Sequence, residues 1–261
     1  VVQRAVAGAQ GLSDIDRCPT AQAATVGALP EGQREAARAT EIEGRLAAAE
    51  ANILGGRYDR AMAIAEEAHR SAQHLGHPPT LARANKTLGT AYHYAGRNEA
   101  AAQRLTEAIR LSSAAGLTED EARAWSMLLY VEGDRLDRPE AALAKRLAAE
   151  TALQRAGSPP MTAAYLASDL GIVLSRAGHK DEALAQHQRA VERWRALGKD
   201  LDGLAKALNN LGIALAQAKR LEEAKAALQE ALEIQRGAHR QRPSHRRLPA
   251  FQPGARAARP G

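Results

Sequence analysis

Small residues recur along this chain at a fixed step, and no other feature constrains its fold as much. Stepping back by 41 from Ala224 gives Ala183, Ala142 and Ala101, and a last step of 40 gives Ala61. The same steps from Ala231 give Ala190, Ala149, Ala108 and Ala68. A third series runs Gly212, Gly171, Tyr130, Gly89, Ala49. Gly212 lies inside an apolar helical pattern, "LNNLGIALAQAKRLEEAKAALQEALEIQ", where a glycine costs about 1 kcal/mol relative to alanine. Something must offset that loss, and the close approach of a second backbone would do so. Two alanines seven apart lie two turns apart on one helix face, which lets paired helices approach to the short end of the usual range of about 8 to 10 Å.

A period of this size denotes a stacked repeat array, one elongated domain in which each unit contacts its neighbours. Each unit reads as two amphipathic helices. The expected pairs are 40–55 with 58–74, 80–95 with 98–114, 119–133 with 139–155, 160–176 with 181–197, and 201–217 with 221–236. Gly56, Gly96 and Gly178 punctuate the turn inside a unit, and Gly76, Gly116, Gly157 and Gly198 the turn between units. "TEDE" at 118–121 has capping-box spacing.

Residues 1–39 form an expected N-terminal helical cap or linker, with Pro30 as a break before a helical run from about Glu31. Residues 40–237 form the array, and 238–261 an expected disordered Arg/Pro-rich tail. The tail explains the charge. It holds six Arg and no acid, so the net charge of +6 leaves 30 basic and 30 acidic residues before it. A neutral array argues against specific nucleic-acid binding, and six arginines without an aromatic platform other than Phe251 would bind phosphate only nonspecifically. Hydrophobic residues make up 45% of the chain but aromatics only 3%, which predicts a thin, alanine-rich helical core. No apolar run approaches the roughly 20 residues of a membrane span, so no membrane contact is expected from this segment. Cys18 allows no intrachain disulfide. The chain opens "VVQRAVAGAQ" without Met or a signal core, the expectation being a fragment or processed product.

The small residues, with "LNNLG" before and "RLEEAKAALQEALEI" after, resemble the tetratricopeptide repeat in its longer variant of about 40 residues. Leu88-Gly89, Leu170-Gly171 and Leu211-Gly212 carry the resemblance, while units one and three depart with Ala48-Ala49 and Leu129-Tyr130. It implies an all-α, right-handed superhelical solenoid of about five helix-turn-helix repeats. A second resemblance rests on the order "DIDRC", "GRYDRAMAIAEEA", "ARAWSMLLYVEGDRLDRPEAA", with Trp125, Gly133, Arg138 and Glu140 as its marks. That order is similar to the C-terminal repeat region of bacterial serine/threonine protein kinases, and it implies a regulatory or sensor arm. In that family another aligned repeat follows "GAH". The departure from Arg240 leaves two expectations open, a genuine tail and a frame-shifted repeat. The compartment depends on context: cytoplasmic for a free-standing adaptor, extracytoplasmic if the array follows a membrane span.

No enzyme is expected of these residues. There is no Gly-rich phosphate loop and no HRD, and DFG is impossible where the only Phe is Phe251. No cofactor or metal is expected either: His69, His74 and His77 cluster without the partners of a zinc site. The informative surface is the inner face of the first helices. On it fall Arg83, Lys86, Thr90, His93 and Tyr94, then Met127, then Tyr165 and Ser168, then Lys206, Asn209 and Asn210. Asn side chains can pair with both the N–H and C=O of an extended backbone. Lys and Arg can hold carboxylates, and Tyr and Met offer adaptable apolar contact. The expected ligand is a peptide or partner protein, with Asn210 the foremost contact by the resemblance. Readings kept beside it are a stand-alone adaptor or regulator domain, and self-association as a homodimer through the terminal repeat, whose last helix lacks a polar cap.

Overall fold

The computed structural model describes residues 31–198 and 201–241. Helices pair along the chain: α1 (Glu31–Leu54) with α2 (Tyr58–Leu75), α3 (Pro78–Tyr94) with α4 (Asn98–Ala114), and α5 (Thr118–Tyr130) with α6 (Pro139–Leu143) and α7 (Arg146–Arg155). The fourth pair is α8 (Pro160–Arg176) with α9 (Lys180–Leu197), and the fifth α10 (Leu201–Gln217) with α11 (Leu221–Gln241). Helix α1 begins ahead of residue 40, and α11 continues past 237. Expectations for Cys18, for the rest of residues 1–30 and for 242–261 lie outside the described residues.

Both alanine columns are core. Ala61, Ala101, Ala142, Ala183 and Ala224 are at most 3% exposed, and Ala68, Ala108, Ala149, Ala190 and Ala231 at most 4%. The glycine series explains itself against the residue sixteen later. A Cβ on Gly89 would lie 2.9 Å from Leu105 Cγ, one on Gly212 2.6 Å from Leu228 Cγ, and one on Gly171 2.5 Å from His187 Nδ1. The backbone expected nearby is there too: the carbonyls of Ala101 and Ala224 would stand 3.3 Å from those Cβ atoms on Gly89 and Gly212. Unit one tolerates Ala49 because Ala65 fills the opposing slot.

All seven turn glycines have positive φ, from 62° to 83°. Where the fifth unit lacks one, Lys219 takes φ 60°, a strained conformation for a side-chain-bearing residue. The expected capping box does not form. Leu117 precedes the helix, no side chain caps it, and Glu121 is buried and pairs with Arg155 at the far end of its own unit.

Unit three departs most from expectation. Leu128 packs in one core with Ala101, Leu105 and Ala108, as Leu88 packs with Ala61 and Ala65. Leu129 then faces Ala142 and Ala149, so the unit runs one residue ahead of the 41 step and Tyr130 is displaced from the glycine slot. A π-helical turn at Val131–Arg135 absorbs the extra residue. Gly133 in that turn supplies a close approach of its own, for a Cβ there would lie 2.6 Å from a Val173 methyl. The second helix expected at 139–155 is broken at Ala144 and Lys145, where the Lys145 N–H turns to the Ala142 carbonyl at 2.9 Å, a tighter bond than the α-helical one.

Candidate functional site

First helices present one side to the concave face, with residues spaced by three and four sharing that side. Lys86, Thr90 and Tyr94 line up along α3, Arg123, Ser126 and Met127 along α5, and Tyr165 and Asp169 along α8. With Glu50, Ile53 and Leu54 of α1 they enclose a cavity of about 220 Å³ that spans four consecutive units. Its walls offer exposed apolar surface: Leu54 is 85% exposed, Tyr94 41% and Tyr165 39%. Five of the expected residues, Lys86, Thr90, Tyr94, Met127 and Tyr165, meet here.

The others are placed differently. Arg83 donates to Glu43 at 3.0 Å and to Asp120 at 3.1 Å, and the Lys86 ammonium is also tied to Asp120. These cations therefore brace the first helices of units one, two and three. Their pull outweighs the burial that would raise the Asp120 pKa, and holds that carboxyl below its ordinary range. His93 lies beside the cavity, its ring 4.9 Å from Tyr94 and 5.3 Å from Tyr130, with Nδ1 3.1 Å from Asn98 Oδ1. Burial lowers its pKa, so the ring is neutral at neutral pH.

Ser168 turns away from the cavity. It donates to the Ala164 carbonyl at 3.0 Å and accepts from Trp194 Nε1 at 3.3 Å, bonds made toward the second helix of its unit. In the fifth unit Lys206 pairs with Asp202 at 2.6 Å, close enough to Tyr94 and Tyr165 to interact with both electrostatically. Asn209 is exposed and Asn210 half-buried, both beyond the walls of the cavity.

Asp169 is the residue that sequence reasoning missed. Its Oδ2 accepts a hydrogen bond from Ser126 Oγ at 2.6 Å, across the boundary between units three and four. Burial pushes its carboxyl up to about 7, and the Ser126 bond only partly opposes that rise. Two signals point to it: Tyr165 stands one turn earlier on the same face, and Asn210 stands one 41-residue step later.

The histidines of units one and two take separate partners. His69 is buried beside Asn85 and Arg104, His74 Nδ1 lies 2.7 Å from the Arg70 carbonyl, and His77 Nδ1 2.9 Å from Thr80 Oγ1. Among the described residues no three His, Cys, Asp or Glu side chains are grouped to share a metal ion. Nor is any described helix long and apolar enough to cross a membrane.

Residues 161–237 match the tetratricopeptide repeat family. A search of curated proteins finds no match to the chain. Among solved structures the chain is similar to BtubC (BKLC) from P. vanneervenii, with 22% identity over 85% of this chain and 87% of that one, at a TM-score of 0.62. It is similar to the Rap conjugation gene regulator of plasmid pLS20, a structure in complex with the Phr* peptide, with 18% identity over 76% of this chain and a TM-score of 0.65. It spans 54% of that regulator, and 50% of aspartyl phosphate phosphatase F from Bacillus subtilis, which it resembles at 14% identity and a TM-score of 0.60. The described residues form an all-α solenoid of the tetratricopeptide type, and residues 161–237 carry the repeat of that family.

Proposed function

We propose that this chain is a non-catalytic interaction module that binds an extended segment of a protein or peptide in its concave groove. The observation that carries this is the cavity itself. Four first helices contribute to it, and exposed tyrosine and leucine faces stand beside hydrogen-bonding groups that an extended backbone can use. In this reading Asn209 and Asn210, beyond the cavity walls, would extend the groove into the fifth unit, where their amides would suit backbone N–H and C=O groups. The similar fold of a regulator solved with a peptide supports the reading by analogy. Peptides selected from a random displayed library test it. Tyr165→Ala and Asn210→Ala each weaken binding about tenfold, or about 1.4 kcal/mol, while Leu228→Gln on the terminal helix does not. Equal effects of all three would remove the groove from the account.

The setting we propose is the regulatory arm of a bacterial serine/threonine protein kinase, on the strength of the order of unit-specific residues. Those marks have physical roles in the irregular third unit: Trp125 packs between two core clusters, Gly133 admits Val173, and Arg138 pairs with Glu99 at 2.5 Å. An in-frame kinase domain encoded upstream would support this setting. A start codon shortly before Val1 would favour the adaptor instead.

Self-association is a second reading with its own observation. Leu228 is 38% exposed where Leu105 and His187, in the same slot of inner units, are at most 3% exposed. Leu221 and Leu232 on α11 are 65% and 44% exposed. A second copy of the chain would cover this face, and a mass that does not change with concentration would eliminate it.

A further inference from the structure

We infer that the groove accepts a positively charged side chain of its ligand, a lysine or arginine, on Asp169. The inference deepens the peptide reading and rests on it. Asp169 lines the cavity together with Tyr94 and Tyr165, and its one hydrogen bond among the described residues comes from the neutral Ser126 hydroxyl. A half-buried carboxylate without a cation is costly unless something supplies one.

The neighbouring elements do not. Helix α1 brings Glu50, a second carboxylate, which accepts from Thr87 at 3.2 Å. Helix α3 brings Lys86, but its ammonium is bound to Asp120, which also takes Arg83. Helix α5 brings Arg123, an exposed side chain that makes no ion pair with Asp169 among the described residues. At the edge from α10, Lys206 is paired with Asp202. The available charge in the cavity is therefore carboxylate, opposed only by an exposed arginine. A ligand carboxylate would meet Asp169 and Glu50 as like charges. A ligand cation would gain an ion pair in a partly dry site, together with tyrosine rings suited to cation–π contact.

The carboxyl, raised to about 7 by burial, holds its proton for much of the time in the unliganded groove at neutral pH. Binding a cation would release that proton. Affinity should therefore rise by about tenfold from pH 6 to pH 8, as follows for a site that must be ionised and has a pKa of about 7.

The test titrates peptides selected from a random displayed library into the whole chain and into Asp169→Asn, at pH 6 and pH 8. The result expected is a shared lysine or arginine whose replacement by norleucine weakens binding at least tenfold in the wild type and little in Asp169→Asn. The pH dependence of affinity should also disappear in that variant. Peptides that compete for the groove yet share no basic position, or that lose equal affinity with both proteins on norleucine replacement, would overturn the inference and leave the peptide reading standing. A library that yields no peptide sensitive to Tyr165→Ala would overturn both.

Discussion

Gly171 lies directly beneath the imidazole of His187, so close that a Cβ would stand 2.5 Å from Nδ1 and 2.6 Å from Cε1. The same pairing of glycine with a residue sixteen later holds Gly89 to Leu105 and Gly212 to Leu228, and their environments differ in a way that orders three substitutions. Alanine at any of the three gains about 1 kcal/mol of helix propensity. At Gly89 and Gly171 the opposing side chain is at most 3% exposed and cannot yield, so overpacking by about 1 to 3 kcal/mol outweighs that gain. Leu228 is 38% exposed and can swing away. Thermal unfolding should rank Gly89→Ala and Gly171→Ala as destabilised and Gly212→Ala as near neutral. Equal losses in all three would refute the slot.

His187 occupies a position that Leu105 and Leu228 fill in other units. Its Nδ1 is buried with no partner among the described residues, and Nε2 stands 3.4 Å from Ser175 Oγ. His187→Leu removes an unsatisfied buried group and should stabilise the array by about 1 kcal/mol at neutral pH. Burial lowers the imidazole from 6.5 to about 4. The unfolded chain thus takes up a proton that the folded chain refuses, and this residue's contribution to stability is lost as pH falls from 6.5 toward 4. Denaturant midpoints for the leucine variant should be flatter with pH across that window. An unchanged slope would mean that His187 finds a proton acceptor.

Asp169 has the opposite dependence. Its carboxyl rises from 3.8 to about 7, so between those values the folded chain holds a proton that the unfolded chain has released. Its contribution to stability falls as pH rises through the window and levels off above it. Asn preserves an acceptor for Ser126 and cannot ionise. Asp169→Asn should therefore melt higher than the wild type at pH 8 and match it at pH 4. A variant less stable at pH 8 would show that the carboxylate already has a cation. Because the two slopes oppose each other, the wild-type chain masks both, and the single variants are needed to see either.

The alanine columns were legible because they obey one period, and each of the ten residues is buried as that period requires. Unit three was not, because Leu129 and Tyr130 preserve the count in sequence while the π-helical turn shifts the phase in space. The site's most informative contact was hidden for another reason: Ser126 and Asp169 are 43 residues apart in neighbouring units, and no single-helix pattern links them. Lys86, Thr90, Tyr94, Met127 and Tyr165 were readable as one face of successive helices. Arg83 and Lys86 looked free for a ligand because their partners, Glu43 and Asp120, come from neighbouring units and no single-helix pattern links them. Ser168 shows how sharp the boundary is, since one residue before Asp169 the side chain already faces Trp194.

The concave groove as the binding surface is tested most directly by where a bound peptide touches the chain. A library-selected peptide carrying benzoylphenylalanine, photolysed in complex with the whole chain and mapped by mass spectrometry, reports that contact. Groove binding predicts adducts on Tyr94, Met127 or Tyr165. Adducts confined to Leu228 and Leu232 of the terminal helix, or to Arg70 and Gln73 in the separate cleft that also holds His69, would contradict it.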